Sequence, residues 1–277
     1  MSVIQTKQWL YEFIEKCKEK SIIDYSSVQC ETLCNPLKKT FPNVHPQSLQ
    51  HELLSHGLFD PFEWFKIETV VQKMEELNVW KIVEKEYKRL KKLWNGPTIP
   101  IYIFPIKGMG FRRDFRKNGV AYLEAVFLFL STDLTKEEIK AMLAHEYNHV
   151  CRMQFNHISA DKITLKESLI IEGLGEYAIK DLYGEKLIGP WTDLYPFEQS
   201  LEIWKKYFLP SLSIKGLKNH HAFLYGQKGT PLPKWIGYHI GYQIVNTYQE
   251  KHGPFKNNEL YRKSADTLIK GSKFPIE

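Results

Sequence analysis

Cysteine is scarce: four residues in 277, at positions 17, 30, 34 and 151. Four cysteines in a chain this long make no disulfide framework. Cys30-x-x-x-Cys34 also lacks the second pair that a zinc knuckle requires, so all four read as free thiols. Long apolar runs are missing too. The longest, residues 125–130, is far too short to span a bilayer. The opening Met1-Ser2-Val3-Ile4-Gln5-Thr6-Lys7 leads into an amphipathic, charged helix and not into the apolar core of a secretory signal, so a cytoplasmic protein with no membrane span is expected. No block of one charge sign stands out. The net charge of +6 arises from 38 basic and 32 acidic residues spread along the chain. The densest basic stretch, residues 81–92, is broken by Glu84 and Glu86 and carries an apolar stripe of Ile82, Val83, Tyr87 and Leu90, which marks a solvated helix face and no nucleic-acid surface. Internal repeats and low-complexity tracts are lacking as well.

What is present is a globular composition, 43% hydrophobic, enough for one large core or two smaller ones. Residues 1–95 read as helical, with Trp9, Leu10, Phe13 and Ile14 at helical spacing, a loop over residues 34–46, and helices over residues 49–56 and 61–93. His51 and His56, five apart, splay on a helix and make poor metal partners. Asn95-Gly96-Pro97 ends this region. A strand follows over residues 99–104, then a tight turn at Asn118-Gly119, then a stronger strand over residues 120–130. Two capping boxes predict helix starts: Thr135 with Glu138, stapled by Leu134 and Ile139, and Thr164 with Glu167, whose helix runs to Tyr183 and stops at Gly184. A shorter helix is expected over residues 198–208, and a long one over residues 234–251 after Pro231-Leu232-Pro233.

The first of those capped helices contains His145-Glu146-Tyr147-Asn148-His149, an H-E-x-x-H pattern. Residues four apart on a helix lie about 40° apart around the axis and roughly 6 Å apart along it, so the two imidazoles can reach one metal ion. Glu146, turned by about 100° from His145, can stand beside the metal and take a proton from an attacking water. Ile139, Met142, Leu143 and Val150 make this a core helix. Two histidines and a glutamate without a metal would leave three polar groups needing partners in an apolar setting.

A catalytic zinc takes three protein ligands as a rule, and the third should lie on the next helix. There, Ile171-Glu172-Gly173-Leu174-Gly175-Glu176-Tyr177 places two carboxylates on one face, with glycines that permit close backbone approach. This stretch resembles the second zinc-binding helix of the gluzincin metallopeptidases. That resemblance implies Glu172 as third ligand and Glu176 as the carboxylate that orients a zinc-bound histidine. Because His149 and Glu172 lie further apart in sequence than in those families, Glu167 and Glu176 remain alternative ligands. Together with Pro233-Lys234-Trp235-Ile236-Gly237-Tyr238-His239-Ile240-Gly241-Tyr242, these features are similar to a bacterial family of predicted zinc-dependent proteases over about residues 100–250. Asn148 departs from the usual aliphatic or histidine residue.

The expected fold is therefore α+β: an N-terminal helical region, residues 1–95, then a zincin-like domain, residues 96–277, with a small sheet and the H-E-x-x-H helix. The expected activity is hydrolysis of a peptide bond in a peptide or locally unfolded protein. One Zn2+ is held by His145, His149 and Glu172, with Glu146 as general base. Tyr238 or Tyr242 is the candidate oxyanion donor, with a packing role as the alternative for each. His239 reads as packing, and His220 and His221 as exposed loop residues. Residues 119–124 are the candidate edge strand for substrate. Two other readings share the same residues: a non-catalytic zinc-binding regulatory protein, and a zinc hydrolase acting on a non-peptide bond.

Overall fold

The N-terminal apolar residues at helical spacing form α1 (Thr6–Lys18), which buries Leu10, Phe13 and Ile14. It is followed by α2 (Tyr25–Gln29), a wide turn of helix at Cys30–Cys34, a tight one at Asn35–Lys39, and α3 (Pro46–His56). The computed structural model describes residues 2–19, 24–108, 116–159 and 161–274. The helix expected over residues 61–93 is broken into a short turn at Pro61–Glu63, α4 (Trp64–Glu76) and α5 (Val79–Trp94). The break falls at Asn78, whose φ of 57° lies in the left-handed region that asparagine tolerates.

Strands β1 (Ile101–Pro105), β2 (Lys117–Ala121) and β3 (Val126–Leu130) form one sheet in the order β1-β3-β2. β3 is parallel to β1 and antiparallel to β2. Every residue of β1 and β3 is buried, as continuous runs of Ile, Phe, Val and Leu require, whereas β2 is half-buried at the edge. The strand expected over residues 120–130 is instead two strands. The chain turns at Tyr122 and Ala125, which bond through their backbones, and the exposed Glu124 interrupts the apolar pattern there. Asn118-Gly119, expected as a turn, lies inside β2 opposite Phe129 and Leu128.

Two compact units follow from contacts: Met1–Arg89 with Thr98–Glu146, and Leu90–Pro97 with Tyr147–Glu277. In the first, the N-terminal helices cover the sheet. Thr6 donates its hydroxyl to the Ile103 carbonyl, and the rings of Trp9 and Tyr102 lie 5.8 Å apart. Their boundaries along the chain fall within α5, between α5 and β1, and within α6 (Lys136–Phe155).

The second unit holds α7 (Leu165–Tyr183), α8 (Phe197–Ile203), α9 (Leu217–Tyr225), α10 (Ile236–His252), α11 (Glu259–Arg262) and α12 (Ala265–Gly271). α7 and α10 cross where glycine faces backbone. A β-carbon on Gly173 would come under 3.0 Å from the Gly241 carbonyl, and one on Gly241 would do the same to Leu169. This is the close approach that glycine inside a helix signals. The architecture is α+β, mainly helical with one small sheet. Among the described residues, no helix is long and apolar enough to cross a membrane.

Candidate metal centre

α6 starts with a closed capping box. The Thr135 amide donates to Glu138 Oε2 at 2.8 Å, and the Glu138 amide donates to Thr135 Oγ1 at 3.2 Å. Arg116 holds Glu138 at 3.0 Å and Asp133 at 2.8 Å, and Leu134 and Ile139 are each buried. With its start fixed, the helix runs unbroken through the histidines. The ligand atoms of His145, Glu146 and His149 all lie within 4.8 Å of one another, and all three side chains are buried.

Strand β2 explains where Glu146 goes. A β-carbon on Gly119 would stand 2.5 Å from both Cδ and Oε1 of Glu146, so the carboxylate lies directly over a backbone position that has no side chain. Successive residues of a strand point to opposite faces, and on the other face Asn118 donates its amide to the His56 carbonyl at 2.7 Å. The dipeptide that resembles a turn is a cradle for the motif's glutamate.

The three acidic candidates on α7 have different partners. Glu172 Oε2 lies 3.6 Å from His149 Nε2. Two ligands of a tetrahedral zinc, each about 2.0–2.2 Å from the ion, stand roughly 3.3–3.6 Å apart, so this donor pair fits that metal. Glu167 accepts from Arg152 Nε at 2.6 Å, and Thr164 makes no side-chain cap, so the second capping box is not formed. Glu176, also buried, accepts from the Gly189 amide at 2.7 Å and from Trp191 Nε1 at 3.0 Å.

On α10, Tyr238 and Tyr242 are both buried. Tyr238 donates to the Tyr225 hydroxyl at 3.2 Å and packs with Trp191 and Trp235, ring centroids 5.5 and 5.2 Å away. Tyr242 lies by Lys180. Burial raises its pKa, while the Lys180 ammonium lowers it. His239 is buried with its ring 5.5 Å from that of Tyr195, and burial lowers its pKa. His220 and His221 are not in a loop but on α9. His221 is exposed, whereas His220 is fully buried, bonded through Nδ1 to Ser168 Oγ at 2.8 Å and through Nε2 to the Ile214 carbonyl at 2.9 Å. Packing of α9 against α7 buries it, which local composition could not reveal.

Residues 79–270 match the family model described as Predicted Zn-dependent protease (DUF2268). The chain belongs to this family. Within the matched segment of this predicted Zn-dependent protease family lie both histidines, Glu146, Glu172, Glu176 and both tyrosines. The chain is 34% identical over 253 residues to the uncharacterized protein YjaZ of Bacillus subtilis (strain 168), covering 90% of this chain and 91% of that one. It is 25% identical over 142 residues to the uncharacterized protein YjfC of the same organism, 47% of this chain and 46% of that one. No solved structure matches.

Two residues at the centre escape sequence reasoning. Gly119 carries a signal that was legible only as a turn. Arg152, three residues after His149, is buried, and its only sequence signal is a charge beside Val150, Cys151 and Met153.

Proposed function

We propose that this protein is a zinc-dependent peptide-bond hydrolase that holds one zinc per chain through His145, His149 and Glu172. The observation that carries this is the 3.6 Å separation of His149 Nε2 and Glu172 Oε2, next to a motif glutamate held in its own cradle. Zinc supplies a Lewis acid and brings the pKa of water toward neutrality. Glu146 takes the proton of the attacking water and passes it to the leaving amine as the peptide C–N bond breaks. Gly119 leaves that carboxylate room at the edge strand β2, along which an extended substrate segment adds as a further strand. Tyr238, turning its hydroxyl proton from Tyr225, donates to the oxyanion, with Tyr242 as the second candidate. Glu176 supports the site one turn from Glu172 by fixing Gly189 and Trp191.

Residues 96–277, most of which lie within the matched segment, are the proposed catalytic domain, and residues 1–95 its helical N-terminal region. Four free cysteines suit a reducing, cytoplasmic setting. The substrate is a peptide or a locally unfolded protein segment. Incubating zinc-loaded protein with a library of unstructured peptides tests the activity. Discrete cleavage products that vanish on chelation are the expected result, and an intact library at full zinc loading contradicts it.

A further inference from the structure

We propose that Arg152 and Glu167 are a positioning pair for the metal centre, fixing α6 against α7 and with it the approach of Glu172 to His149. The inference rests on the zinc reading above. Arg152 is fully buried. Its guanidinium donates from Nε to Glu167 Oε1 at 2.6 Å, and from Nη1 to the carbonyls of Tyr261, at 2.9 Å, and Lys263. A buried arginine is costly unless its rigid fork meets fixed acceptors, and here it meets one on α7 and two on the C-terminal segment.

The two contacts between the helices are adjacent rungs. On α6, Arg152 follows His149 by three residues. On α7, Glu167 precedes Glu172 by five, so the pairs 149–172 and 152–167 connect helices that run in opposite directions. A slide or rotation of α7 that lengthened the first rung would break the second. Glu167 is also diverted from the cap its sequence position predicts, so its carboxylate serves the interhelical contact at the expense of its own helix start. Arg152 and Glu167 touch no substrate and act through Glu172.

The experiment compares Glu167→Gln and Glu167→Ala with the parent, using Lys166→Ala as control. Lys166 makes an exposed ion pair with Asp266 from the same turn of α7, without touching Arg152. Zinc affinity is read by chelator competition, and site geometry by the visible spectrum of the cobalt-substituted protein. Zinc should bind about tenfold more weakly in Glu167→Gln, which keeps an acceptor, and about 100-fold more weakly in Glu167→Ala, with an altered cobalt spectrum. Lys166→Ala should match the parent in both. Folded Glu167 variants that bind zinc as tightly as the parent overturn the proposal. Should neither variant fold, amide exchange in the parent decides. Zinc should slow exchange over residues 165–168 and 261–264 as well as at the ligands, because coupling is reciprocal. Protection confined to residues 145–149 and 172 overturns the pairing but leaves the zinc reading standing. A parent that takes up no zinc overturns both.

Discussion

Gly119 on the edge strand and Glu146 on α6 share one space: a β-carbon on the glycine would fall 2.5 Å from the glutamate's Cδ and Oε1. Glycine at this strand position thus leaves the motif's carboxylate its place. Gly119→Ala should displace Glu146 and leave the histidines in place. Turnover should fall by about 10², the scale on which a 1 Å misplacement of a reacting group acts, with zinc content unchanged. Kinetics with parallel metal analysis check this, and an alanine variant of full activity would mean that Glu146 is not used from this position.

The contacts of α7 separate its carboxylates. Glu172→Gln should lose most zinc at equilibrium with a moderate chelator, because it removes a ligand. Glu176→Gln should retain zinc and lose stability, because its carboxylate holds Gly189 and Trp191. Elemental analysis and thermal unfolding of both variants make the comparison. The opposite pattern would move the third ligand to Glu176.

For the tyrosines, Tyr238→Phe should lower turnover by about 10² with little change in KM, the mark of a hydrogen bond made mainly in the transition state. Tyr242→Phe should keep its activity. Steady-state kinetics on both variants distinguish donation from packing. Full activity in both would exclude either hydroxyl as oxyanion donor. His220 would not replace them, since both of its ring nitrogens are engaged.

Burial holds the pKa of His220 and of His239 below the ordinary imidazole value, so the folded state binds fewer protons than the unfolded one. Their contribution to stability is present above about pH 6.5 and is lost as pH falls through that value toward the depressed folded pKa values. Thermal midpoints measured from about pH 7.5 down to pH 5 should fall. A midpoint that rises on acidification contradicts this.

Much of the candidate site was legible because its signals are local. The capping box of Thr135 and Glu138 forms as its spacing predicts, and the H-E-x-x-H spacing needs only one helix to bring its three side chains together. What failed depended on partners distant in sequence. Gly119 was mistaken for a turn because its reason is Glu146, 27 residues further on. Glu167 was read as a cap because its partner Arg152 belongs to another helix. His220 looked exposed beside polar neighbours, and only the packing of α9 on α7 buries it against Ser168. The α+β fold was legible at the level of element order, whereas the hairpin between β2 and β3 was hidden by an apolar run continuous except for Glu124.

The central claim is that Glu146 is a general base beside a bound zinc. Its most direct test is the rate of cleavage of one peptide substrate by the parent and by Glu146→Gln, each carrying one zinc per chain. The predicted result is a loss of about 10² to 10⁴ in turnover with zinc and fold unchanged. Equal rates in the two proteins would contradict it.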